Sequence, residues 1–169
     1  MRLVPYRCLV RVVNQPGDED EAVFSALYPG LRRFAAVVGP IEVEPDDLVQ
    51  EALARVLSAG PLSQLREPGA YLRTVVVRLA ANHRRRLGRS RAAWGALAVR
   101  AQLNDVYPSD LGDLDGLDPT DRAVVYLSVI EHASADEVAA VLGWSASRVR
   151  MRKHRVLRRL RMELEDRDG

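Results

Sequence analysis

The side chains of this sequence with the most chemistry to offer are its cations. In SASRVRMRKHRVLRRLR, Ser145 to Arg161, eight of seventeen residues are Arg or Lys. Val149, Val156, Leu157 and Leu160 recur among them, so the stretch reads as a helix with one buried side and one strongly basic side. A second cluster puts five arginines between Arg84 and Arg91. Gathered guanidinium groups suit a polyanion: they neutralise phosphate, and one that pairs bidentately with guanine supplies about 1–3 kcal/mol of discrimination. An anionic membrane, a calmodulin-like partner or plain water would also accept a basic amphipathic helix. Reaction chemistry is not suggested. His83, His132 and His154 are scattered with no second ligand at metal spacing, and no nucleophile stands near a plausible base, so no catalytic residue, metal or cofactor is expected.

The positions of the charges matter because the total is small. The formal net charge is only +2, so no overall field draws in a polyanion. Along the chain the order is basic, acidic, basic: between the two arginine clusters, Asp105 to Asp121 carries six aspartates and no base. A 47% apolar share over 169 residues supports packed cores, in one ordinary domain or two small ones. The single Cys8 excludes an internal disulfide and a cysteine-rich zinc site, as expected of a reducing cytosol. Arg7 and Arg11 interrupt the apolar start, and no stretch approaches the roughly 20 apolar residues of a membrane span. A cytoplasmic chain without membrane insertion is expected. The turn-rich, acidic QPGDEDE at Gln15 to Glu21 marks residues 1–17 as a detachable, disordered arm.

The elements that must carry the cations are helical. Val23, Leu27, Leu31 and Ala35 recur at four-residue spacing, which predicts a helix over 20–38, with Pro29 and Gly30 expected to kink it or split it. Pro45 opens a second helix, with Asp46 and Asp47 in its first turn and a run to about Ser58. SAGPLSQLREPGA is a loop, and a third helix is predicted from Tyr71 to about Leu87. Leu72, Val75, Val76 and Leu79 face its core, and the opposite stripe is Tyr71, Thr74, Arg78, Asn82 and Arg85. A ring, cations, an amide and a hydroxyl on one face can stack on an unpaired base, bind phosphate and read a base edge. An ordinary solvated face has the same composition. Strand alternation is nearly absent, so the fold class is all-α.

The C-terminal third narrows the choice of anion. Asp118-Pro-Thr-Asp starts one helix; Ser134-Ala-Asp-Glu starts another, with Ser134 as N-cap and Glu137 in the capping-box position. Gly143 can adopt the positive φ of a helix end, and Ser145 can cap the basic helix that follows. Helix, short turn with Gly, basic helix is the helix-turn-helix layout, whose second helix enters the DNA major groove. A helix destined for a membrane surface would not need a capped partner at a fixed angle. Val149 and Val156 are expected to hold it to its neighbours.

These residues also carry a family resemblance. The segment LDPTDRAVVYLSVIEHASADEVAAVLGWSASRVRMRKHRVLRRLR resembles region 4 of bacterial sigma factors, and EPDDLVQEALARVL followed by GAYLRTVVVRLAANHRRR resembles their region 2. The compact form, from about Asp18 to Leu164, is similar to the extracytoplasmic function (ECF) group of the sigma-70 family. The resemblance implies two small helical domains joined by a flexible linker: region 2 at 18–91, an acidic linker at 92–116, and the region 4 helix-turn-helix at 117–169. It implies an RNA polymerase sigma factor that binds core RNA polymerase, directs it to −35 and −10 promoter elements and has no catalytic site of its own.

The same resemblance implies roles by position. Asp47, Leu48, Val49, Gln50 and Glu51 would dock on the clamp helices of the polymerase β′ subunit. Gln64, Arg66, Glu67, Tyr71, Arg78, Asn82, Arg85 and Arg86 would read and melt the −10 element. Ser147, Arg148, Arg150, Met151, Arg152, Lys153 and Arg155 would grip the −35 element while region 4 rests on the β flap. Relatives often carry Asn at Arg78, Trp at Tyr71 and Thr at Arg148, so the preferred bases stay open. An anti-sigma factor is an expected partner. Two other readings remain: a helix-turn-helix regulator that works without polymerase, which leaves Asp46 to Glu51 unexplained, and a sigma-like adaptor that has lost promoter melting, given the few rings near Tyr71.

Overall fold

The computed structural model describes residues 18–94, 114 and 116–168, and the expected arm at 1–17 and most of the expected linker at 92–116 lie outside them. Among the described residues there are six α-helices: α1 (Asp18–Val38), α2 (Pro45–Ala59), α3 (Pro68–Trp94), α4 (Pro119–Val125), α5 (Ala135–Leu142) and α6 (Ala146–Asp168). A 3-10 turn, Leu62–Gln64, separates α2 from α3, and a π-helical turn, Tyr126–Ile130, extends α4. No strand occurs among the described residues. The all-α expectation holds, with α1 to α3 forming one lobe and α4 to α6 the other.

Local chemistry sets the helix ends. Pro45 sits in the first turn of α2 with Asp46 and Asp47, favourable at the positive end of the helix dipole. Asp118 caps α4 by accepting hydrogen bonds from the amides of Thr120 and Asp121, both at 2.9 Å. Ser134 and Glu137 complete the expected capping box on α5, with Glu137 Oε2 2.7 Å from the Ser134 amide. Gly143 ends α5 at φ 67°, in the left-handed region, and Ser145 Oγ accepts from the Arg148 amide at the start of α6.

One of the two alternatives for α1 drops out, and α3 is longer than expected. Pro29 does not split α1, which is one helix from Asp18 to Val38. The proline is exposed and so is Ser25, whose carbonyl loses its intrahelical donor, so water can supply it. The third helix starts three residues before Tyr71, at Pro68, and extends past Leu87 to Trp94, into the segment expected to be linker.

Each lobe has the predicted apolar interior. Leu31, Phe34 and Val38 of α1 meet Leu48, Val49 and Ala52 of α2 and Leu72, Val76 and Leu79 of α3, all buried. In the second lobe Val124, Leu127 and Val138 enclose Val149 and Val156 of α6, as the apolar spacing required. The lobes are not separate bodies. The buried apolar residues form one continuous cluster, and Phe34 of α1 meets Tyr126 edge to face with ring centroids 5.5 Å apart.

Candidate nucleic-acid and polymerase interfaces

Three surfaces gather the residues singled out in the sequence. The first is α2. Leu48 and Val49 are fully buried and anchor the helix, whereas Asp47, Gln50 and Ala54 are exposed at i, i+3 and i+7 and make one outward stripe. Asp46 sits behind this stripe, accepting from the Tyr28 hydroxyl at 2.6 Å and from Arg32 Nε at 2.9 Å. The Tyr28 bond, then Arg32, holds its carboxyl below the usual carboxylate range. Glu51 is turned sideways: its oxygens meet His83 Nε2 at 3.0 Å and Arg55 Nη2 at 2.7 Å, and its pKa is lowered first by His83 and then by Arg55. The start of α2 is therefore fixed to α1, and its middle to α3.

The second surface is the loop before α3 and the face of α3 itself. Gln64, Arg66, Glu67 and Tyr71 are exposed and adjacent. The loop is held from below by Asp20, whose Oδ1 accepts from the Ser63 amide at 2.8 Å; bonds to Ser63 lower its pKa. Sequence reading gave Asp20 no role, because one carboxylate in the acidic DEDE start is indistinguishable from its neighbours until the loop lies against it. Arg78, Asn82 and Arg85 follow along α3, and Arg85 Nη2 donates to Asn82 Oδ1 at 2.5 Å, so the amide and guanidinium act as a pair. Arg86 is exposed. A cleft of about 380 Å³ runs between Arg78, Asn82 and Arg85 on one side and Thr120, Leu142 and Trp144 on the other.

The third surface is α6. Ser147, Arg148, Arg150, Met151, His154, Arg155 and Arg158 are exposed, and Arg150, Met151, His154, Arg155 and Arg158 line one shallow groove. His154 and Arg158 were not among the expected contacts, although successive i, i+4 steps from Arg150 lead to His154 and then to Arg158. Arg148 lies over the Trp144 ring, 4.1 Å from its centroid, a cation–π contact that holds the guanidinium at the turn. Two expected contacts point elsewhere. Arg152 reaches back to α4, with Nη2 2.8 Å from Asp121 Oδ2 and 3.0 Å from Asp118 Oδ2 and Nε also bonded to Asp121. These bonds, Asp121 first, raise its pKa. Lys153 Nζ is 3.4 Å from the Ser128 carbonyl.

No group of three potential metal ligands occurs among the described residues. No described helix is long and apolar enough to cross a membrane.

Known proteins match this arrangement. Residues 23–90 match the family Sigma-70 region 2, and residues 114–162 match Sigma-70, region 4. The chain is 33% identical over 162 residues to the RNA polymerase sigma-E factor of Streptomyces antibioticus, covering 89% of this chain and 87% of that one. Its identity to the protein of the same name from Streptomyces coelicolor is 36% over 155 residues, covering 82% and 81%. The fold is similar to that in the co-crystal structure of the sigma factor RpoE with the anti-sigma factor NepR from Bartonella quintana, with a TM-score of 0.65 at 21% identity, covering 86% of this chain and 96% of that one. With both regions matched in order, and relatives similar over most of their length, the chain belongs to the sigma-70 family of RNA polymerase sigma factors, in the ECF group, and directs transcription initiation.

Proposed function

We propose that the three surfaces divide the work of initiation. The exposed Asp47 and Gln50 stripe of α2 meets the polymerase β′ clamp helices, with Leu48 and Val49 anchoring it from inside and Glu51 fixing it to α3. Gln64, Arg66, Glu67 and Tyr71, with Arg78, Asn82, Arg85 and Arg86, capture the −10 strand. Extraction of a base costs a few kcal/mol, offset by stacking on Tyr71 and by edge contacts. Ser147, Arg148, Arg150, Met151 and Arg155, joined by His154 and Arg158, enter the −35 major groove. Arg152 and Lys153 position α6 against α4 and the turn after it. Regions 2 and 4 occupy 18–91 and 117–169, and the chain acts in the cytoplasm without a catalytic site of its own.

The observation that carries this reading is the split on α2: two apolar residues of one short motif are fully buried while Asp47 and Gln50 beside them point outward with a fixed backbone behind them. The test is binding to core RNA polymerase followed by run-off transcription on a genomic fragment library. Wild type is expected to bind core and yield discrete starts, and Asp47→Arg and Gln50→Ala to remain folded while binding core more weakly. Wild type that binds DNA but never core would transfer the chain to the polymerase-independent regulators. Transcription from a premelted but not a supercoiled template would indicate the adaptor that has lost melting.

An anti-sigma factor is the natural regulator, given that the structurally similar RpoE was crystallised with NepR. Such a partner would have to cover both lobes.

A further inference from the structure

We infer that Met151 is a specificity-determining residue, which seats its thioether on the 5-methyl group of a thymine in the −35 element. The inference rests on the proposed entry of α6 into the −35 major groove and deepens it by naming a base.

The inward side of α6 is fixed by what it touches. Val149 and Val156 are buried, Arg152 pairs with Asp121 and Asp118, and Lys153 Nζ lies 3.4 Å from the Ser128 carbonyl. Met151 stands about 200° round the helix from Val149, in the middle of the opposite side. It is 64% exposed, more than any other large apolar side chain among the described residues. Its neighbours three and four positions away are Ser147, Arg148, His154 and Arg155, and each is exposed. One apolar side chain is thus ringed by a hydroxyl, an imidazole and two guanidinium groups. The Trp144 ring, 4.1 Å from the Arg148 guanidinium, draws that cation towards the turn and away from the methionine.

The ring of cations decides what covers the methionine. A protein surface apolar enough to take a thioether would also strip water from the charges around it, at a cost. Duplex DNA suits both: phosphates along the rims of the major groove take the guanidinium groups, and the groove floor carries one apolar group, the thymine 5-methyl. Met151 lies in the second turn of α6, within the N-terminal part that a helix-turn-helix presents to base edges. A methionine has no donor and only a weak acceptor, so covering a cytosine or adenine amino group or a guanine oxygen leaves that group unpaired. Its unbranched chain and polarizable sulfur adapt to a methyl group.

The test uses the full chain in complex with core RNA polymerase. Wild-type holoenzyme selects from promoter fragments randomised across the −35 element, and each thymine of the selected element, on either strand, is then replaced singly by deoxyuridine, which lacks only the methyl. Thymine is expected to be retained at one position, where deoxyuridine weakens binding about fourfold, the effect of one buried methyl. With Met151→Ala the same replacement should leave affinity unchanged and selection should lose thymine there, whereas Met151→Leu should keep the preference. Because deoxyuridine alters the DNA and not the protein, the loss in wild type is read independently of how any variant folds. A selected element without thymine, no position at which deoxyuridine weakens wild type, or a loss that persists in full with Met151→Ala would each overturn the inference. If selection returns no −35 preference at all, and Arg150→Ala and Arg155→Ala leave holoenzyme binding unchanged, the −35 assignment of α6 itself falls, and the methyl contact with it.

Discussion

Arg150 and Arg152 stand two positions apart on α6 and meet different partners. The sequence shows both as cations of a basic helix, and composition alone cannot separate them. What separates them is the helical turn: the position of Arg152 faces α4, where Asp121 is nearly buried and Asp118 caps the helix. Those carboxylates were legible as a helix start, not as acceptors for a residue more than thirty positions on. Replacing Arg152 with Gln leaves Asp121 without its charged partner, so a loss of about 1–3 kcal/mol is expected in urea unfolding. Arg150→Ala should change stability by less than about 0.5 kcal/mol. Its effect should instead appear as weaker binding of holoenzyme to −35 promoter DNA. If it removes one phosphate contact, the slope of log affinity against log salt falls by about 0.9.

At the scale of the helix, the elements with local signals were the easiest to read. Ser134 with Glu137, Asp118 before Pro119, and Gly143 followed by Ser145 each close a helix end with atoms a few residues away, and each occurs as expected. Whether Pro29 would split α1 was not legible, because its cost depends on whether the orphaned carbonyl reaches water, which the surrounding fold decides. The start of α2 shows the converse: Asp46 was legible as a favourable first-turn charge, but its ties to Tyr28 and Arg32 depend on how α1 lies beside it. Those ties predict an acid response. Because the folded-state pKa of Asp46 lies below its ordinary 3.8, its stabilising contribution is complete above that value and disappears as pH falls through the lower folded value. Thermal unfolding followed from pH 5 downward should show the loss, and Asp46→Asn should be less stable at neutral pH with a shallower acid dependence.

For the whole molecule, the apolar spacing revealed two cores but not that they touch. The 3.6-residue period identifies the buried side of each helix, and Leu72, Val76 and Leu79 follow it. Val77 departs from it, buried beside a hydroxyl and two arginines of a face read as solvent- or DNA-exposed, because the second lobe covers it. Two small helical domains were expected, and the contact between their interiors was not legible because it joins residues far apart in the chain, Phe34 and Tyr126 among them. A continuous core predicts otherwise: calorimetry of the free chain should give one cooperative transition, and Arg122→Met should split it in two or bring the lobes' melting apart.

Arg122 of α4 donates to the Val37 and Gly39 carbonyls at the end of α1, a join between the lobes that is asymmetric in heredity. Arg122 contributes a side chain that one codon change removes, but its acceptors at Val37 and Gly39 are peptide oxygens that every amino acid possesses. Only a change that bends the backbone can disturb them. Gly39 is such a place, since a Cβ there would fall 2.8 Å from the Ala35 carbonyl oxygen. Mutation can therefore tune the join between the lobes finely from one side, while the other side can drift in sequence and still receive it.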